Sequence, residues 1–176
     1  MVLSSRILGA IVVLVFAFAL PTVAAALSPS YFIEGVEIAA TSREGTFVGT
    51  GTGDPGGDEA VWQAVVDHEK LSSRCESSAS GCVITGGTFS LVNQDVEAID
   101  GTFSSGSIKL DSEAPGCGIQ VFSVFGTLTD MTTAGATGGT GSFSVTLTHF
   151  RALYLGRCTT FFAKVSGNVS FTFTTP

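Results

Sequence analysis

The polar residues best placed to do chemistry are His149 and Arg151. They continue an odd-numbered face that opens with Phe143, Val145 and Leu147 and resumes at Leu153 and Leu155. In an extended strand, residues i and i+2 share a face and lie about 6–7 Å apart. An unbroken strand therefore turns an imidazole and a guanidinium to the same side. A buried guanidinium needs a counter-charge or an anionic ligand, so the pair could clamp a carboxylate or polarise a carbonyl, as a cyclase or isomerase would. A bulge near Phe150 gives another outcome, because Phe150, Ala152 and Tyr154 are apolar too. The phase would then flip and leave His149 and Arg151 in solvent or at the barrel mouth. This second arrangement is preferred.

The other candidates are weaker. His68 lies in Asp67-His68-Glu69 and shares an even-numbered face with Trp62 and Val66. It could supply an acid–base group beside His149, but a charged strand end in solvent is the simpler expectation. The run 49–59 is rich in glycine and holds Asp54, Asp58 and Glu59, oxygen donors of the kind calcium takes; a flexible hairpin loop explains it equally well. No Gly-x-Ser-x-Gly elbow surrounds any serine, so a triad is not supported; no catalytic residue is assigned, and enzyme activity stays open with a non-enzymatic role favoured. Asn168-Val169-Ser170 is a glycosylation sequon, usable only in a eukaryotic host.

Four cysteines, Cys75, Cys82, Cys117 and Cys158, are an even set without Cys-x-x-Cys spacing, and neither histidine is near one. Disulfides are expected rather than a metal, and no cofactor is implied.

The elements that must carry these residues are strands. From Phe161 to Phe173, apolar Ala163, Val165, Val169 and Phe171 alternate with Lys164, Ser166, Asn168 and Thr172, the pattern of a strand with one buried face. Alternation recurs over 31–40, 45–51, 83–91, 96–110 and 142–148. In 83–91 it places Val83, Thr85, Phe89 and Leu91 on one face. In 96–110 the phase shifts near Ser104-Ser105-Gly106, where a bulge is expected. Residues 119–130 are apolar on both faces, as in a strand covered on both sides. Residues 59–71 fit either a strand or one helical face; their β-branched content favours strand. Loops are expected over 51–58, 74–81, 93–95, 111–118 and 131–141.

About eight long strands in simple succession indicate an all-β, up-and-down antiparallel barrel, with a two-sheet sandwich as the alternative. Strand direction then sorts the cysteines. If 119–130, 142–155 and 158–173 run up, down and up, Cys117 and Cys158 begin two up-strands at one end of the sheet. Cys75 and Cys82 face each other across a single loop, so the pairs 75–82 and 117–158 need the least chain movement. The phrase Gly138-Gly139-Thr140-Gly141-Ser142-Phe143 before a late strand resembles the allene-oxide-cyclase-like and dirigent-like secreted eight-stranded barrels. The resemblance covers six low-complexity residues and implies no function.

Compartment is read from the first residues. Met1–Arg6 carries one positive charge, Ile7–Leu20 is apolar, and Pro21–Ala26 ends in small residues: the three parts of an export signal. The apolar run is shorter than the ~20 residues of a membrane-spanning helix. The expectation is a signal peptide over 1–26, with cleavage after Ala24, Ala25 or Ala26, and one secreted or cell-envelope domain over 27–176. Loss of Arg6 would take the net charge from −7 to −8. An acidic domain with scattered cations has no footprint for nucleic acid or anionic lipid. An outer-membrane barrel is disfavoured, since Tyr31, Tyr154 and Trp62 are too few for aromatic girdles.

The leading functional expectation is an exported module that binds a small apolar or amphipathic ligand, or a surface partner, with no membrane span after signal cleavage. Trp62, Phe143, His149 and Arg151 are the expected lining, in a cavity of about 300 Å³ or more. The alternatives are a cyclase or isomerase using His149 and Arg151, and a structural envelope domain with a filled core.

Overall fold

The computed structural model describes residues 26–54, 56–95, 97–136 and 138–174. The expected signal peptide, apart from Ala26, lies outside them, as do Val96 of one expected strand and Pro55 and Thr137 of two expected loops. The described residues form strands β1 (Ala26–Leu27), β2 (Ser30–Ala40), β3 (Glu44–Asp54), β4 (Glu59–His68), β5 (Cys82–Asn93), β6 (Ala98–Glu113), β7 (Gln120–Thr132), β8 (Gly138–Tyr154) and β9 (Arg157–Thr174), with one short helix, α1 (Ser73–Glu76).

Each strand from β2 to β9 pairs antiparallel with the next, and β9 returns to β2, closing the sheet. β1 runs beside β9 in line with β2, pairing Ala26 with Thr174. The result is a closed eight-strand antiparallel barrel; the sandwich alternative does not hold. The alternation of β9 places Ala163, Val165, Val169, Phe171 and Phe173 inside, all buried, while Lys164, Asn168 and Thr172 are exposed outside. That is the reverse of a barrel whose apolar face meets lipid.

Bulges set the phase of several strands. β6 shifts register between Phe103 and Ser105, so Ile99 and Phe103 face inward before it and Ile108 after it. β5 does the same at Gly86-Gly87. A Cβ on Gly87, at φ 118°, would lie 2.0 Å from the Val65 carbonyl oxygen, so the strand kinks where no side chain can sit. Val83 and Thr85 therefore face out, Ile84 faces in, and Phe89 and Leu91 are buried. The single face expected for Val83, Thr85, Phe89 and Leu91 is thus two half-faces.

β7 also departs from expectation. Phe122, Val124 and Leu128 are buried, but Ile119 and Phe125 are 44% and 49% exposed. A barrel of this kind has nothing packed on its outside, so only one face of β7 is covered. The strands also run further than expected: β3 reaches Asp54, β6 reaches Glu113 and β8 begins at Gly138, leaving shorter loops.

One end of the barrel bears the loops β2–β3, β4–β5, β6–β7 and β8–β9. Both disulfides lie there, Cys75–Cys82 and Cys117–Cys158, the expected pairing, with Cα–Cα distances of 4.8 and 5.3 Å.

Candidate functional site

Closing eight strands leaves an interior just wide enough for side chains to fill or for one small ligand. Here the filling is uneven. Gly35 and Gly49 face each other on β2 and β3, and a Cβ on Gly35 would come within 2.6 Å of Trp62 Cζ2. Trp62 lies over this bare backbone, and its indole N–H donates to the carbonyls of Glu34 and Thr50 at 3.2 and 3.0 Å. Phe89 stacks beside it, and Phe103 meets Phe143 edge-on. Between these rings and the loop-bearing end lies a cavity of about 200 Å³. Its wall is almost wholly apolar, and it includes Trp62, Phe143 and His149. The volume is below the expected 300 Å³, because six aromatic rings project into a narrow barrel.

Polar groups gather only at the mouth: Glu37, Thr41, His68, His149 and Thr160. Glu37 was not among the sequence candidates, and it is central. It ends the inward face of β2 begun by Tyr31, Ile33 and Gly35. Ala163 of β9 stands opposite His149 of β8, and the β2–β9 register places Glu37 next to Ala163 on the other side. The methyl of Ala163 leaves the space above it open, so Glu37 and His149 approach across β9. Their Oε2 and Nε2 atoms lie 3.8 Å apart.

Both groups are largely out of water. Burial pushes the Glu37 carboxyl up to about 7. Burial, with help from the Arg151 charge, holds the His149 imidazole below its ordinary value. His149 Nε2 is the one buried side-chain polar atom with no hydrogen-bond partner among the described residues. Phe122 covers its ring at 5.1 Å.

Arg151 is elsewhere. Its register bulge does occur, but the extra residue is Phe161 on β9, so β8 keeps its phase and His149 stays inside. His149 thus faces inward at the mouth, while Arg151 does not join it in the cavity. Arg151 lies past the end of β7, where it donates from Nε to the Gly118 carbonyl at 3.1 Å and from Nη2 to Glu113 at 2.5 Å. That hydrogen bond holds the Glu113 carboxyl below its ordinary value. Arg151 does not line the cavity.

His68 is 6% exposed rather than in solvent, because β4 keeps its even face inward to its last residue. Its Nδ1 is 2.8 Å from the Glu69 carbonyl; Glu69 in turn ties the β4–β5 loop to Val83, its amide donating to the Val83 carbonyl and its carboxylate accepting from the Val83 amide. The carboxylates of Asp54, Asp58 and Glu59 do not converge. The one grouping of metal-type donors among the described residues is Glu69 with Cys75 and Cys82, whose sulfurs are bonded to each other. Asn168 is exposed on the outer face of β9.

At the opposite end, a wider depression of about 380 Å³ is lined by Ser30, Tyr31, Asp54, Asp58, Asn93 and Glu97 among others. Burial and the Asp58 charge raise the Tyr31 hydroxyl there. No helix of the described residues is long and apolar enough to cross a membrane. No protein-family model, curated protein or solved structure matches the chain.

Proposed function

We propose that this protein is an exported barrel that binds one small ligand, apolar over most of its surface and carrying a single hydrogen-bonding group. The observation that carries the reading is His149 Nε2, buried and unpartnered at the mouth of an apolar cavity beside the Glu37 carboxyl. A buried polar atom without a partner costs about 1–3 kcal/mol, and a ligand hydroxyl, which can donate or accept, removes the cost on reaching it. An apolar cavity of about 150 Å³ accepts benzene, so 200 Å³ suits one ring with a short polar substituent.

Two disulfides are compatible with an extracytoplasmic protein, and the leader-like first residues support export. The cyclase or isomerase reading is the weaker one. It needs Arg151 in the cavity, and Arg151 is engaged with Glu113 and Gly118. A filled structural core does not account for the empty volume.

Trp62 is the only tryptophan and lies in the cavity wall, so its fluorescence reports occupancy. Titration with toluene and with benzyl alcohol is expected to give saturable changes, the alcohol binding several-fold more tightly. His149→Phe is expected to abolish that advantage. Absence of a saturable change with either compound would overturn the proposal.

A further inference from the structure

A second feature of the loop-bearing end takes no part in the cavity. β7 stops pairing with β8 at Gln120–His149, and β2 stops pairing with β9 at Val36–Lys164. Beyond these points residues 150–162 pair only with each other, as a two-stranded ribbon that rises about 17 Å from the barrel rim. An isolated ribbon is unstable in water unless something holds it. Here the Cys117–Cys158 disulfide and the contacts of Arg151 with Gly118 and Glu113 fix it to the β6–β7 loop.

This braced ribbon exposes large apolar side chains on both faces and at its turn. Alternation puts Phe150 and Tyr154 on one face, where Phe162 lies 5.6 Å from Phe150 and Phe161 lies 6.1 Å from Tyr154. Leu153 lies on the other face, which also carries Arg151, Thr160 and the bonded Cys158, and Leu155 lies at the turn; the two leucines are 67% and 85% exposed. Exposed apolar surface gathered in one place marks a site of association. A protein partner covers one face of a ribbon; a projection that exposes apolar side chains on both faces and at its tip matches a medium that surrounds it.

Charge points the same way. The ribbon holds Arg151 and Arg157 and no carboxylate, in a chain of net charge −7. Arg151 is spent on Glu113, whereas Arg157, next to the turn, has no ion pair among the described residues. One cation behind an apolar tip is placed to meet a lipid phosphate, while the acidic body disfavours an anionic surface. We propose that the β8–β9 ribbon docks the protein on a neutral phospholipid surface, with Leu155 leading and the aromatic pairs at headgroup depth, as in interfacial segments that bury 5–10 Å.

The proposal stands whether or not the cavity binds a ligand. Its test is co-sedimentation of the disulfide-bonded full-length protein with phosphatidylcholine vesicles. Wild type is expected to sediment with the vesicles, and Leu153→Ser/Leu155→Ser to lose on the order of tenfold or more in partitioning. Phe125→Ser, which removes an equally exposed ring from the barrel wall, is expected to change nothing. Near-ultraviolet circular dichroism of each variant checks that the barrel is intact. The proposal is overturned if wild type stays in solution or if the double variant binds as well as wild type, which would place the contact in the apolar N-terminal run. It is equally overturned if Phe125→Ser weakens binding as much, or if the ribbon variant instead dissolves a dimer that ignores vesicles.

Discussion

The two ends of the barrel interior are built from the same alternating strands, yet one is filled and the other is hollow. At the filled end Phe171 contacts Tyr31, Phe89 and Phe173, and Leu91, Leu128 and Met131 close around them with 1% exposure or less. At the hollow end the wall carries smaller side chains, Ala64, Val124, Val145 and Val165 among them, and the volume they do not occupy is the cavity. Large side chains interdigitate and specify a packed layer; small ones in a closed barrel cannot be compensated by collapse, because the strand count fixes the diameter. The difference between a structural layer and a candidate binding layer is therefore a difference in side-chain volume at a few positions.

The largest expected effect tests that contrast. Phe171→Ala is expected to lower stability by roughly 3–5 kcal/mol, and Leu147→Ala, which borders existing empty space, by nearer 2 kcal/mol. Urea denaturation with an unchanged m-value measures both. Equal losses would mean that the two ends are equally well packed.

The disulfides sharpen the comparison further, since both sit at the hollow end. On the chain-entropy model, removing Cys117–Cys158, which spans 41 residues, costs about 4 kcal/mol, and removing Cys75–Cys82, which spans 7, about 2 kcal/mol. Serine pairs at each bridge, compared by thermal unfolding, check the order. A reversed order would mean that the β4–β5 loop, with Leu71 in the cavity wall, is worth more to the native state than the ribbon's attachment.

The barrel and its cysteine pairing were legible because both follow from alternation and strand direction, which β9 states plainly. The cavity mouth was legible only in part. His149 stood out as a polar residue on an apolar face, but Glu37 obeys the same rule on Tyr31–Ile33–Gly35–Glu37, where Gly35 beside it weakens the apolar pattern. That the two meet depends on Ala163 and on the β2–β9 register, a closure between the first and last long strands that no local pattern encodes. Arg151 was misplaced for a related reason. The expected bulge falls on the partner strand, at Phe161, and so leaves the phase of β8 intact.

The smallest expected effect is in the pH dependence of stability, where the two mouth groups act with opposite sign. Glu37 binds its proton more tightly folded than unfolded, about 7 against 4.5, so its contribution is full below 4.5 and is lost as pH rises to about 7. Taken alone, that is roughly 3 kcal/mol. His149 binds its proton less tightly folded than unfolded, so its contribution is full above 6.5 and is lost as pH falls. In the window between, the two slopes oppose each other, and wild type is expected to lose less stability with rising pH than His149→Gln does. Glu37→Gln is expected to leave stability rising with pH toward 6.5, and His149→Gln to leave it falling from 4.5 to about 7. Chemical denaturation at a series of pH values separates the three. Parallel profiles would mean that water reaches both groups freely, and the mouth would then be as wet as the depression at the other end. Opposed slopes would establish that the polar part of the hollow end lies inside the barrel's dry interior, where an unpartnered polar atom has the most to gain from a ligand.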